Sequence, residues 1–106
     1  MDQFVLVISK SRLDDLLKQA ESFFRVKASD DELLSLTKSY ACYVTIGGST
    51  FFDTKLVSKI LFEQVKNNYF NGSNSYSINF KLKNIVYSVS PGDYGNECHY
   101  IVRSSK

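Results

Sequence analysis

The last third of the chain constrains the fold most, because it carries two alternating patterns that are out of phase by one residue. Residues 76–82 alternate apolar and polar side chains with a period of two, which is typical of a half-buried strand. The alternation resumes at Ile85 in the opposite phase. A two-residue turn at Lys83-Asn84 would bring the apolar side chains of both strands to one face. The pairs predicted by this hairpin are Leu82 with Ile85, Phe80 with Tyr87 and Ile78 with Val89.

A β-bulge at Lys83-Asn84 inside one long strand would also shift the phase. The dipeptide lacks the glycine that favours a tight hairpin, but we favour the hairpin over the bulge. Residues 90–96, Ser-Pro-Gly-Asp-Tyr-Gly-Asn, are dense in turn-forming residues and predict a loop. Cys98, Tyr100 and Val102 then alternate with polar residues, so we expect a three-stranded antiparallel meander.

Three earlier segments have helical patterns. Residues 11–14 and 29–32 match the capping box that begins a helix, and residues 50–53 contain candidate caps for a third helix. The predicted first helix covers residues 12–25. Apolar residues at helical spacing form one stripe in each segment: Leu13, Leu16, Leu17, Ala20, Phe23 and Phe24; Leu33, Leu34, Leu36 and Tyr40; Leu56, Val57, Ile60, Leu61 and Val65.

The N-terminal segment Gln3–Ile8 is almost continuously apolar, which predicts a central strand buried on both faces. Residues 40–46 fit a helix and a strand equally well. The predicted fold is therefore a single α+β domain over residues 1–106. Its antiparallel sheet would combine the N-terminal strand with the C-terminal β-meander, covered on one face by two or three helices.

The composition is that of an ordinary globular domain, with 43% hydrophobic and 23% charged residues among 106. The net charge of +2 permits an acidic partner without requiring one. Cys42 and Cys98 match no disulfide framework. The apolar run Phe4–Ile8 is too short for a signal peptide or a membrane span. We therefore expect a cytoplasmic protein that has reduced thiols and no membrane partner.

Catalytic and metal-binding patterns are weak. Cys98 and His99 are neighbours on a predicted strand, so their side chains point to opposite faces and cannot share an ion or a proton. Cys42 with His99 stays geometrically open, although no motif supports it. The acidic pairs at residues 14–15 and 30–31 lie in first helical turns, where capping explains them. We expect no enzyme activity, no catalytic residue, no metal and no cofactor.

Two features bear on anionic ligands. Gly47–Thr50 is similar to an anion-binding loop before a helix, but it lacks the Walker lysine and fits a turn with an N-cap. Basic residues on the polar face of the predicted sheet, together with several tyrosines, would suit nucleic acid. Thirteen basic residues are nearly balanced by eleven acidic ones, and no nucleic-acid-binding motif is present. Nucleic-acid binding is therefore the alternative hypothesis.

Protein binding is the leading hypothesis. Residues 68–74 and 91–96 combine tyrosine with Gly, Ser and Asn, a composition typical of adaptable interface loops. We expect a small non-enzymatic module that occupies a macromolecular partner, as an inhibitor, immunity protein, antitoxin or phage-encoded blocker does. A homodimer through an edge strand stays open. The predicted partner-binding residues are Tyr69, Tyr94, Tyr100, Lys81, Lys83 and Arg103.

Overall fold

The computed structural model describes residues 3–41, 45–46, 54–72 and 76–105. These residues form one antiparallel sheet and three helices, which confirms the predicted α+β class. The strand order is β2-β1-β5-β4-β3, so the N-terminal strand joins the C-terminal meander through its last strand. The elements are β1 (Gln3–Ser9), α1 (Lys10–Arg25), α2 (Asp30–Ala41), β2 (Thr45–Ile46), α3 (Thr54–Asn71), β3 (Ile78–Leu82), β4 (Ile85–Tyr94) and β5 (Glu97–Ser104).

The β3–β4 hairpin has the predicted register. Leu82 pairs with Ile85, and the Phe80–Tyr87 and Ile78–Val89 pairs follow. Lys83 and Asn84 both have positive φ, at 51° and 67°. Positive φ at both central residues is the mark of a type I′ turn, whose twist matches that of the strands. The hairpin prediction is confirmed, and the bulge is excluded.

The loop predicted over residues 90–96 is wrong. β4 continues through Pro91 and pairs with β5 as far as Tyr94, opposite Glu97. The turn is limited to Gly95 and Asn96, where Gly95 has a φ of 65°. β3 pairs with β4 only as far as Val89. Beyond Val89, β5 is the one described strand that pairs with β4, and proline is tolerated in such an edge segment.

The two faces of the sheet differ. The inner face carries the buried side chains Leu6, Val89 and Tyr100, which pack into one core with residues from all three helices. Val5 and Val7 lie on the opposite, outer face and are only half-buried. The prediction that β1 is buried on both faces is therefore wrong, because the described helices cover the inner face only. Its internal position is confirmed, since it pairs with β2 and β5.

The helix starts depend on side-chain caps. α1 begins two residues before the predicted position because Ser9, not Ser11, is its N-cap and its Oγ accepts from the Arg12 N–H at 3.2 Å. The predicted capping box at the start of α2 is confirmed. The Ser29 N–H donates to Glu32 Oε1 at 3.2 Å, and the Glu32 N–H donates to Ser29 Oγ at 3.3 Å.

The ambiguous segment 40–46 contains both structures. α2 continues to Ala41, and Thr45–Ile46 form a short strand beside β1. α3 starts at Thr54, and its predicted caps at residues 50–53 lie outside the described residues, as does Gly47–Thr50. α3 ends at Asn71, after which Gly72 adopts a φ of 72°.

α3 is the central element of the core. Eight of its 18 residues are buried, and it packs against α1, α2 and β3. The predicted apolar stripe of this helix is confirmed, because all five of its members are buried. Phe62 and Gln64 are buried as well, so the buried arc is wider than the stripe. A helix contacted on so many sides holds the other elements in place.

Arg12 and Tyr40 join α1 to the end of α2. Arg12 Nη2 donates to the Tyr40 carbonyl at 3.1 Å and to the Ser39 carbonyl at 3.4 Å. Its guanidinium also lies over the Tyr40 ring, 4.7 Å from the centroid. The Tyr40 hydroxyl donates in turn to the Asp15 carboxylate. A cation beside the last carbonyls of a helix donates hydrogen bonds to those acceptors and interacts favourably with the negative end of the helix dipole.

We expect Arg12→Ala to lower the free energy of unfolding by about 1–3 kcal/mol, because it leaves helix-end carbonyls without their charged donor. Tyr40→Phe should cost only about 1 kcal/mol, since it keeps the ring and removes one hydroxyl. Lys18→Ala, at an exposed position of α1, is the control. Urea unfolding measures all three. If Arg12→Ala lowers stability no more than Lys18→Ala does, Arg12 does not stabilise the contact between α1 and the end of α2.

Candidate functional site: an exposed aromatic patch

Three aromatic rings meet where α1 and α3 end. Phe24 and Tyr69 stack with centroids 4.1 Å apart and an interplanar angle of 14°. Phe70 meets both rings edge-on, at 6.1 Å from Phe24 and 5.2 Å from Tyr69. Both geometries are those that aromatic pairs prefer. We refer to Phe24, Tyr69 and Phe70 as the aromatic patch.

The patch is open to solvent. Tyr69 is 48% exposed and Phe70 is 69% exposed, while Phe24 is half-buried. Val26, which caps α1 two residues after Phe24, is 75% exposed. A single exposed apolar residue is ordinary, but several in contact form the kind of surface that marks an interaction site.

The charges closest in sequence to the patch are mainly basic. Lys66 precedes Tyr69 and Phe70 by three and four residues on α3, but its Nζ lies over the Phe62 ring, 4.9 Å from the centroid and one turn nearer the start of the helix. Lys27 follows Phe24 by three residues, and its N–H donates to the Phe24 carbonyl at 3.1 Å. Arg25 is already paired with Glu21 at 2.6 Å. The patch therefore has an apolar centre, and Lys27 is the neighbouring basic residue whose charge no described residue pairs.

The structure separates the predicted contact tyrosines. Tyr69 belongs to the aromatic patch, whereas Tyr100 is only 1% exposed. The prediction that Tyr100 binds a partner is wrong, because strand alternation places it on the inner face between Pro91 and Leu6 of the neighbouring strands. The Tyr94 side chain lies outside the described residues, although its backbone ends β4.

The three predicted basic contacts are exposed but do not adjoin one another in the sheet. Lys83 occupies the hairpin turn, and Lys81 pairs with Val86. Arg103 pairs with Ser88 on β4, two strands away from β3. Asn79, Lys81 and Arg103 all alternate onto the outer face of the sheet. That this face binds nucleic acid stays a prediction.

Phe24 and Phe70 were missed as site residues. The apolar stripe of α1 assigned Phe24 to the core, and Phe70 was noted only as part of a tyrosine-bearing segment. Helical periodicity identifies the apolar side of a helix, but it does not show which residues of that side are covered by other elements. The one signal in the sequence is the aromatic pair Tyr69-Phe70 in the last turn of α3, because two adjacent residues of a helix do not both face the same neighbour.

Among the described residues, two polar side chains are buried without a hydrogen-bond partner. They are Gln64, whose amide nitrogen and oxygen are both unpaired, and Tyr100, whose hydroxyl is unpaired. Burial raises the pKa of Tyr100 well above its ordinary value, and the nearby Cys98 adds to the rise. An unpaired buried hydroxyl costs free energy in the folded state. Tyr100 therefore contributes through its ring and not through its hydroxyl.

The described residues contain no group of three His, Cys, Asp or Glu side chains that could hold a metal ion. Cys98 and His99 lie on opposite faces of β5, as predicted from strand alternation. His99 Nε2 is 3.3 Å from Glu97 Oε1 on the outer face. Cys42 lies outside the described residues, so its predicted geometric access to His99 is not addressed.

Known proteins offer no guide to the role of these surfaces. No family model, curated protein or solved structure matches this chain. Within the described segments, none of the helices is long and apolar enough to cross a bilayer. The candidate surfaces therefore depend on their own geometry and chemistry.

We expect Tyr100→Phe to leave stability unchanged or to raise it by about 1 kcal/mol, because it removes an unpaired buried hydroxyl and keeps the packed ring. Tyr100→Ala should cost about 3–5 kcal/mol through the cavity it leaves. Urea unfolding distinguishes the two variants. A clear loss of stability in Tyr100→Phe would show that the hydroxyl has a stabilising partner.

Stability should also decline in alkaline solution. The folded state raises the pKa of Tyr100 through burial, and that of Tyr40 through burial and the Asp15 carboxylate. Both tyrosines are neutral in the folded and unfolded states below about pH 10, so their contribution is complete there. Above about pH 10 the unfolded chain ionises first, so stability falls as the pH rises toward the raised pKa values of the folded state. The loss approaches about 1.4 kcal/mol per pH unit for the buried Tyr100 and is smaller for Tyr40, whose side chain is more exposed.

Urea unfolding between pH 9 and pH 12 tests this dependence. In Tyr100→Phe the free energy of unfolding should fall less steeply with pH, because residue 100 can no longer ionise in the unfolded chain. Tyr76→Phe is the matched control, because the Tyr76 side chain is 54% exposed. Identical pH profiles for Tyr100→Phe and the wild type would contradict the assignment.

Proposed function

We propose that this chain is a non-enzymatic protein-binding module that acts by occupying the surface of a partner protein. The observation that supports the proposal is the aromatic patch, in which Tyr69 and Phe70 are exposed yet held in a defined arrangement on Phe24. A protein that works by occupancy needs a rigid contact surface and no catalytic group. Inhibitors, immunity proteins, antitoxins and phage-encoded blockers all act in this way.

Pre-organisation is what makes the patch suitable. The stacking of Tyr69 on Phe24 restricts its rotamers before binding, so less side-chain entropy is lost on association. Tyrosine is among the residues that contribute most at protein interfaces. Burying an aromatic side chain removes about 150–250 Å² from water, and each apolar Å² contributes about 25 cal/mol. Two such side chains suffice as anchors.

The charges next to the patch specify the partner further. Lys27 follows Phe24 just beyond the end of α1, whereas Glu21 is paired with Arg25. Opposite charges around an apolar contact accelerate association and exclude wrong partners. The partner that fits is a protein with an apolar pocket and an acidic rim.

We expect Phe70→Ala to weaken partner capture at least about tenfold, in line with the loss of an aromatic hot spot. Its melting temperature should change little, because the side chain is mostly exposed. The protein is first captured on beads from its native lysate, with nuclease present, and the partner is then identified and titrated. Tyr76→Ala is the matched control, since Tyr76 is exposed but contacts no ring of the aromatic patch.

Equal losses of affinity in Phe70→Ala and Tyr76→Ala would remove the aromatic patch from the interface. Capture that disappears on nuclease treatment would favour the nucleic-acid alternative. Tyr69→Ala is less decisive, because losing the stack on Phe24 should itself cost about 1 kcal/mol of stability.

A further inference from the structure

A second surface lies between α2, α3 and the edge strand β3. It is an open groove with a volume of about 460 Å³. Four lysines line it, namely Lys38 from α2, Lys55 and Lys59 from α3, and Lys81 from β3. Among the described residues of this lining, Asp31 carries the one acidic group. We refer to this site as the lysine groove.

Three of the four ammonium groups have no partner among the described residues. Lys38, Lys55 and Lys81 are exposed, and none of their side chains makes a hydrogen bond or ion pair in the described part of the chain. Lys59 differs, because its Nζ is 2.9 Å from Glu63 Oε2 and lies over the Phe62 ring at 4.7 Å. Three lysines from separate elements thus line one groove that also holds the carboxylate of Asp31. Such a concentration attracts anions, especially multivalent ones.

The lining also has an apolar part. Leu34 of α2 and Leu82 of β3 contribute to the walls and are half-buried. Small-molecule sites combine apolar walls with a few convergent polar groups, in volumes of about 300–1,000 Å³. A ligand that satisfies both parts has a multivalent anionic end and an apolar or aromatic body.

We propose that the lysine groove binds a small organic phosphate, such as a nucleotide. Lys38, Lys55 and Lys81 would contact the phosphate oxygens, and lysine ammonium groups are well suited to that role. The body of the ligand would lie against Leu34 and Leu82. Lys81 is on the edge strand β3, so a residue of the outer face can still border the groove at that edge of the sheet.

This site is distinct from the aromatic patch. Lys59 and Tyr69 are ten residues apart on α3, which separates them by about 15 Å along the helix axis. The patch lies at the last turn of α3, whereas the groove adjoins its first turns. A small phosphate ligand and a protein partner can therefore bind together, and each can be tested without the other.

The test is calorimetric titration of the purified chain with ATP and with inorganic pyrophosphate at low ionic strength. We expect saturable binding of one ATP per chain. The double variant Lys55→Gln with Lys81→Gln should bind ATP at least about tenfold more weakly, since each lysine supplies a charge-assisted hydrogen bond. The control is Lys18→Gln with Arg25→Gln, which changes the net charge equally from α1 and should bind like the wild type.

Leu34→Ala tests the apolar wall. It should weaken ATP binding several-fold while leaving pyrophosphate binding unchanged, because only the nucleotide has an aromatic body. Four results would overturn the proposal: no binding of ATP by the wild type, equal losses in the groove and control variants, equal effects of Leu34→Ala on both probes, or affinity that only increases with oligonucleotide length. The last result would indicate a diffuse polyanion surface.

Discussion

The burial of α3 is the constraint on which the rest of the structure depends. Most of the circumference of the helix is covered, with the sheet on one side and α1 and α2 on others. Its dehydration supplies a large share of the apolar burial in a domain of this size. The same packing buries the Gln64 amide, which has no hydrogen-bond partner in the described segments, and the surrounding apolar contacts must exceed that cost.

A helix enclosed in this way leaves few positions for recognition. The exposed side chains of α3 lie at its two ends, with Lys55 in the first turn beside the groove and Tyr69 and Phe70 in the last turn beside α1. One end concentrates positive charge and the other concentrates aromatic surface. The two candidate sites are thus consequences of how one helix is packed, and their chemistries suit different ligands.

Local patterns predicted the elements well, because each depends on neighbours in sequence. The phase change at Lys83-Asn84 predicted the hairpin register, and Ser29 with Glu32 predicted a reciprocal cap that the structure contains. The failures have a common cause. Pro91 lies in a strand because β3 is too short to pair with it, and no pattern around Pro91 records the length of β3.

The sequence by itself determined the α+β class, the three helices, and the alternation that separates Cys98 from His99, since these follow from periodicity and capping within short segments. The tertiary structure alone decided which face of the sheet was covered, which buries Tyr100 and leaves Val5 half-exposed. It alone brought Phe24 to Tyr69 and gathered lysines from three elements. Contacts between residues distant in sequence depend on how whole elements pack, and no local pattern specifies that.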